Sequence, residues 1–476
     1  MIIRRRVPIV HLPLMKIERF FVQGLAHASY VLSSEGEAAI IDPERQGYGY
    51  LDYLVKHQLR LVGIFLTHLH ADFVAGHAEL AAQTGAPIYL SQKTPATFKH
   101  LDLPDFIRIG TVELQVIETP GHSPDSVCYC VVDNDKPVAL FSGDTLFVSD
   151  VGRPDLWDRK IGSEELAGML YDSLFNKLIK LPAETKVYPA HGAGSLCGRQ
   201  ISSSPFTTIG QEIATNWALQ LVDRRKFVET MITNLPERPS YFARSVEINS
   251  RGAPFLSELD VLSRLALADF GAKRTGDITL LDVRPAVLFG EAHPVGALNI
   301  GITSPSFATW CGFFLSPGRP IVLVVEHESE ASRARLELAR IGFDQIAGFL
   351  LADDLEETAQ ITQIAARDLL LSLKDSKHLI ILDVRSISEW NHNHLDEAIH
   401  IPLPHLPRQL KNLSPHAPVA VLCQSGYRSS IATSLLESEG FTQVSNVMGG
   451  MHAIYQVKYP KIPFMESCDT IPNWVI

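Results

Sequence analysis

The chain has 476 residues, 46% of them apolar and 20% charged, and a formal charge of −11. At about 150 residues per domain this predicts about three domains with enough apolar residues for several cores. The acidic balance, with no basic stripe to offset it, argues against nucleic acid as a partner.

No apolar run reaches the roughly 18 residues a membrane-spanning helix needs. At the start, Arg4, Arg5 and Arg6 precede a stretch broken by Pro8, His11 and Pro13. No small-residue cleavage site follows, so it does not read as a signal peptide. The six cysteines are scattered rather than densely and evenly spaced, which predicts a reducing, cytoplasmic setting.

Between Met15 and Gly198 short β-rich runs alternate with turns. AAIID, LVGIFLTH, LQVIETPGH, VALFSGD and KVYPAH each end in a polar cluster containing His or Asp. Strands ending in reactive side chains predict a site assembled from loops along one edge of a sheet sandwich. From Ser202 the pattern changes. Ile209, Ile213, Leu219, Leu221 and Phe227 have helical spacing. The Pro, Asn and Gly of NLPERPSYFARSVEINSRGAPFL then predict an extended connector.

The second half repeats itself. Asp282-Val283-Arg284 recurs as Asp383-Val384-Arg385, and the segment from Pro320 parallels that from Pro418 without gaps. Strands alternating with helices make each copy an α/β unit with a parallel sheet. The expected domains are therefore 15–256, including the connector 202–256, then 257–356 and 362–470.

The segment THLHADFVAGH carries His68, His70, Asp72 and His77 after a buried-strand pattern. His68 and His70 are two apart, so in extended chain they point the same way. His122 in TPGH, Asp144 in FSGDT and His191 in YPAHG end other apolar runs. Histidines and carboxylates gathered in this way are metal-ligand material. Cys128 and Cys130 share one strand face and read as core, while His77 is open to a structural or a catalytic role.

HxHxD, a distant His, an Asp within GD and a last His in AHG together resemble the metallo-β-lactamase superfamily. Its binuclear hydrolases place a His directly after the Asp of HxHxD, where this chain has Phe73, which cannot bind metal. The resemblance to single-metal relatives, the persulfide dioxygenases, implies one Fe(II) per chain on His68, His122 and Asp144, with zinc as the alternative. It makes His70, Asp72 and His191 the residues that orient those ligands and bound water. Two imidazoles and one carboxylate leave three octahedral positions open, as non-haem iron oxygenases require.

The stretch GRPDLWD, Gly152 to Asp158, resembles a segment that follows the metal-binding Asp in the same enzymes. Arg153 is thus a candidate for gripping an anionic thiol carrier, against the alternative of an ion pair with Asp155. Cys197 in GAGSLCG is a candidate sulfur relay, against that of a plain buried thiol.

In the last copy Cys423 ends a buried strand, and CQSGYR opens a helical pattern closed by Gly440. A loop wrapping into a helix N-terminus aims its N–H groups at one point. Those donors, the helix dipole and Arg428 would stabilise a thiolate, and Gly426 permits the tight turn. Gln424, Ser425, Gly426 and Tyr427 complete the expected persulfide- or oxyanion-binding loop. With DVR and the EAIHIP segment this looks like rhodanese, and the six-residue loop suits sulfur transfer. In the middle copy Cys423 corresponds to Val325 and Arg428 to Glu330, so that copy is expected to be inactive, a spacer or docking surface.

The expected architecture is a multidomain α/β chain: an αββα metallo-β-lactamase sandwich, then two α/β rhodanese-like domains with parallel sheets. The resemblances imply oxidation of a low-molecular-weight thiol persulfide by O2 to sulfite, coupled to sulfur transfer through Cys423 that forms or uses thiosulfate. Two alternatives stand beside this: a zinc thioester hydrolase of glyoxalase II type with a rhodanese tail, and a non-enzymatic sulfur carrier or sensor. No membrane partner is expected, and self-association into dimers or tetramers is compatible with the sequence.

Overall fold

The computed structural model describes residues 15–157, 161–233, 235, 237–266, 278–375 and 378–458. The arginine-rich start and Cys468 lie outside them. The chain divides into two compact units, the first reaching Glu258 apart from Pro239–Tyr241, the second running from Leu259. Among the described residues no helix is long and apolar enough to cross a membrane.

The first unit holds two six-stranded sheets. One runs in the order Met15–Val22, His27–Ser34, Glu37–Ile41, Arg60–Phe65, Ile88–Leu90 and Leu101–Asp102. The other runs Thr207–Thr208, Lys186–Pro189, Lys136–Gly143, Val127–Asp133, Val112–Glu118 and Phe106–Ile109. Strand periodicity sorts the side chains into three layers of core. Val127, Tyr129 and Val131 face Tyr30, Leu32 and Phe65 between the sheets. Cys128 and Cys130 face the other way, against Leu170 and Leu174 of the helix Ser163–Asn176 and against Phe227. On the far side of the first sheet, Val31, Ile40 and Ile64 pack against Tyr50, Leu54 and Leu80 of the helices Tyr48–His57 and His77–Thr84. Helix, sheet, sheet, helix is the expected sandwich.

The connector departs from expectation. Its first part forms two short helices, Ile209–Thr215 and Arg224–Met231. Its second part, expected to be extended, contains a helix at Phe242–Arg251 that buries Phe242, Val246 and Asn249. Those residues have a helical spacing, which the flanking Pro and Gly conceal in the sequence.

The second unit holds both repeats. The middle copy has the strand order Leu298–Asn299, Thr279–Asp282, Ile321–Val325, Ile346–Leu351. The last copy has Ala398–His400, Ile380–Asp383, Val419–Leu422, Val444–Met448, and adds Thr362–Ala365 at the edge. All neighbours in both sheets are parallel. The shared Asp-Val-Arg is a structural clip. Arg284 clasps Asp282 and the carbonyl of Ala292, and Arg385 clasps Asp383 and that of Asn393.

Candidate metal centre and sulfur loop

The metal-capable side chains of the first unit follow strand ends. His68 and His70 come after Arg60–Phe65, His122 after Val112–Glu118, Asp144 after Lys136–Gly143, and His191 after Lys186–Pro189. Gly143 has a left-handed φ of 51° and stands against Thr67, where a Cβ would lie 2.6 Å from its Oγ1. Glycine thus lets the Asp144 turn press against the His68 turn.

The ligand-capable atoms of His68, His122 and Asp144 lie within 4.8 Å of one another, and those of His70, Asp72 and His191 do likewise. Asp144 stands between the two groups. Its Oδ2 is 3.5 Å from His122 Nε2 and 4.0 Å from His68 Nε2, while its Oδ1 is 3.5 Å from His191 Nε2. His191 Nε2 is in turn 3.4 Å from Asp72 Oδ2. The three residues expected only to orient ligands are therefore themselves close enough to hold a cation.

Hydrogen bonds on the outer side of the rings set the tautomers. His122 Nδ1 donates to the Arg153 carbonyl at 3.0 Å, which turns the Nε2 lone pair inward. Thr67 Oγ1 donates to Asp42 Oδ2 at 2.8 Å, so it accepts from His68 Nδ1 at 3.0 Å and again leaves Nε2 as the inward lone pair. His70 Nε2 lies 3.2 Å from Asp42 Oδ1. His68 Nε2 and Asp144 Oδ2 are buried without a hydrogen-bond partner among the described residues. Such atoms are costly unless something occupies the point at which they aim, and their donor chemistry fits a divalent metal.

Electrostatics agree. Burial, followed by the neighbouring His70, His122 and His191, holds the His68 ring well below its ordinary titration range. Burial also lowers His122 to about 4 and His191 to about 4. Burial, then Asp72 alongside, pushes the Asp144 carboxyl well above the ordinary range. Neutral imidazoles offer their lone pairs, and a cation supplies the positive charge that buried carboxylates otherwise lack.

Asn249 is a residue of this site that sequence reasoning misses. From the helix Phe242–Arg251, its Nδ2 donates to the His70 and Phe73 carbonyls at 2.8 Å each, and its Oδ1 accepts from Ala75 N at 2.8 Å. One amide thus clamps the HxHxD loop, and no motif announces it. Asp42 and Thr67 also support this site, and Asp42 ends the run AAIID much as the other site residues end theirs.

One expectation needs correction, and one left open is settled. Arg153 is 1% exposed, pairs with both oxygens of Asp155 at 2.7 Å and donates to the Leu196 carbonyl. Two nearby acceptors hold it, so the ion-pair alternative describes it and the carrier-gripping role does not. His77 is fully buried beside Phe98 and lies in neither metal-capable group with His68 or His70. Cys197 does join the site: its sulfur groups with Asp144 and His191, and burial, then Asp72 and Asp144, push its thiol well up.

In the last copy Cys423 is fully buried, and its Sγ accepts from Gly426 N at 3.1 Å and from Ser429 Oγ at 3.4 Å. Gly426 has φ 100°, a conformation that glycine adopts without penalty and that lets this N–H turn inward. The Cys423 and Gln424 carbonyls accept from Met451 N and His452 N, so the loop is pinned from behind, with Ser425 at the exposed tip. The Arg428 charge acts on Cys423, as expected, but its hydrogen bonds go elsewhere. Both its terminal nitrogens donate to Glu389 at 2.7 Å, because a buried guanidinium takes the nearest carboxylate fork. Tyr427 likewise turns its hydroxyl to the Gly301 carbonyl rather than into the loop.

The middle copy fills its own cradle. The Glu330 carboxylate accepts from Glu326 N at 2.9 Å and His327 N at 3.3 Å, in a capping box on the helix Glu328–Arg340. An internal anion thus occupies the N–H groups that a bound anion would need.

Comparison with known proteins bears on both units. The sequence model of the metallo-beta-lactamase superfamily matches residues 22–191, and that of the rhodanese-like domain matches residues 366–456. A hydroxyacylglutathione hydrolase of Francisella tularensis subsp. tularensis (strain WY96-3418) is 36% identical over 186 residues, 37% of this chain and 68% of that protein. A crystal structure described as a metallo-beta-lactamase from Staphylococcus aureus subsp. aureus COL superposes with a TM-score of 0.65 at 30% identity. It covers 71% of this chain and 99% of its own.

Proposed function

Because the chain belongs to the metallo-beta-lactamase superfamily and carries a C-terminal rhodanese-like domain, we propose that it is an iron persulfide dioxygenase coupled to sulfur transfer. The observation that carries this reading is the pairing of two sites on one chain. One is the His68–His122–Asp144 group with Phe73 next to Asp72; the other is a cysteine whose sulfur accepts hydrogen bonds from a helix-opening loop. A ferrous ion held by those three residues would supply the one-electron chemistry that lets O2 accept electrons from the persulfide sulfur.

The chain's own residues then have definite tasks. Thr67 and the Arg153 carbonyl keep the two imidazole lone pairs inward, and Asn249 fixes the loop that follows His68. The buried walls exclude bulk water, which strengthens every charge interaction inside. The net reaction converts RSSH, O2 and water into RSH and sulfite. At the second site the Cys423 thiolate takes the outer sulfur of a second RSSH and releases RSH. Sulfite then attacks that outer sulfur, the S–S bond to Cys423 breaks, thiosulfate leaves and the Cys423 thiolate remains. Fusion keeps sulfite at high effective concentration near its consumer.

Wild-type protein supplied with a persulfide and O2 is expected to release thiosulfate, and the Cys423→Ser variant to release sulfite at the same rate of O2 uptake. Equal thiosulfate from both would remove Cys423 from the reaction.

A second reading has its own support. The His70–Asp72–His191 group, with Asp144 between it and the first, could hold a second metal, and a curated relative is a hydroxyacylglutathione hydrolase. Thioester cleavage by a zinc-loaded protein, without O2 uptake, would favour it.

A further inference from the structure

We infer that the middle copy positions the sulfur-carrying loop of the last copy, with Asn299 as the central positioning residue. The inference rests on Cys423 being the sulfur carrier, as proposed above.

The helix Tyr427–Ser438 is buried on nearly every side although much of it is polar. Tyr427, Ser430, Ser434 and Glu437 fall at successive steps of three and four, which is one stripe of a helix. Each member of the stripe bonds to the middle copy. Tyr427 Oη donates to the Gly301 carbonyl at 3.1 Å, and Ser430 Oγ to Asn299 Oδ1 at 2.6 Å. Ser434 Oγ accepts from Asn299 N at 3.1 Å, and Glu437 Oε2 lies 2.8 Å from His293 Nε2.

Asn299 is 1% exposed and uses its whole amide. While Oδ1 accepts from Ser430, Nδ2 donates to the carbonyls of Asp282 and Arg284, at the end of the middle copy's strand Thr279–Asp282. A rigid sheet end is thereby tied to the helix that carries the loop.

The tie reaches the sulfur through covalent neighbours. The two groups that donate to Cys423 Sγ are Gly426 N and Ser429 Oγ. Gly426 precedes Tyr427, which is held by Gly301, and Ser429 precedes Ser430, which is held by Asn299. A small rotation of the helix away from the middle copy would move both donors off the sulfur together, and directional hydrogen bonds weaken steeply with misalignment. The copy without a nucleophile would thus fix the aim of the copy that has one.

Ser430→Ala and Asn299→Ala in the full chain test this from opposite sides. Each is compared with wild type in thiosulfate-to-cyanide sulfur transfer and in the pH profile of Cys423 alkylation. The expected result is a kcat lowered about tenfold, the scale of one lost buried hydrogen bond. The KM for thiosulfate should change little, the alkylation profile should move to higher pH, and O2 uptake at the first unit should be unaltered. Should Asn299→Ala fail to fold, Ser430→Ala removes the same bond without touching the middle copy. Folded variants with wild-type kcat and an unshifted alkylation profile would overturn the inference. Absence of sulfur transfer in the wild type would instead count against the proposed function, and the alkylation profiles would still decide the positioning.

Discussion

The phenyl ring of Phe73 lies against the imidazole of His70, with their centroids 4.5 Å apart. It also lies 3.9 Å from the His27 ring and is fully buried. An apolar ring therefore stands where one more nitrogen could reach the His70–Asp72–His191 group. Phe73→His should raise bound metal from one toward two ions per chain, measured by elemental analysis of the desalted protein. A count that stays at one would mean that Phe73 does not set it.

The two metal-capable groups predict different losses. His122→Ala and Asp144→Ala should empty the site, with metal content and persulfide-dependent O2 uptake both near background. His191→Ala should keep its metal and lose roughly 10- to 100-fold in activity, the usual range for a partner outside the coordination sphere. Loss of metal from His191→Ala would place His191 among the ligands.

Asn249→Ala should loosen the HxHxD loop by removing three hydrogen bonds from buried backbone groups. Metal affinity, measured by chelator competition, should fall roughly tenfold. Because a bound metal stabilises only the folded state, chelation should also lower the melting temperature of the first unit. Unchanged affinity in a folded variant would limit Asn249 to a packing role.

In the last copy, burial works against the Glu389 carboxylate, but hydrogen bonds and charge from Arg428 outweigh it and hold the group below the usual range. A depressed folded value contributes stability that is present above the unfolded value of about 4.3 and is lost as pH falls through the folded one. Glu389→Gln leaves Arg428 buried without its counter-charge and should cost about 3 kcal/mol near neutral pH. Denaturant melts at falling pH should show the gap between wild type and variant closing only below about pH 4. A gap independent of pH would assign the cost to packing.

Val325→Cys in the middle copy should gain no sulfur transfer, because the Glu330 carboxylate holds the N–H groups that a persulfide would need. Activity from this variant in a Cys423→Ser background would show that the cradle opens readily.

The sequence made visible what covalent spacing and strand period control. Runs ending in His or Asp located His68, His122 and Asp144, and the repeat located both parallel sheets. It could not show how long side chains choose among nearby acceptors. Arg153 and Arg428 read as anion-binding residues, yet each has a carboxylate within reach, Asp155 two residues on and Glu389 far back in the chain. Asn249 was hidden for a related reason: the helix that delivers it lies between Pro and Gly residues that read as a connector. The polar stripe from Tyr427 to Glu437 gave no signal, since its partners sit in the other copy.

The central claim is tested most directly by counting metal and oxygen on one anaerobically purified sample. The account predicts one iron per chain and one O2 consumed per sulfite or thiosulfate formed, with one persulfide used for each sulfite and two for each thiosulfate. Two zinc ions per chain, with no oxygen consumed, would contradict it.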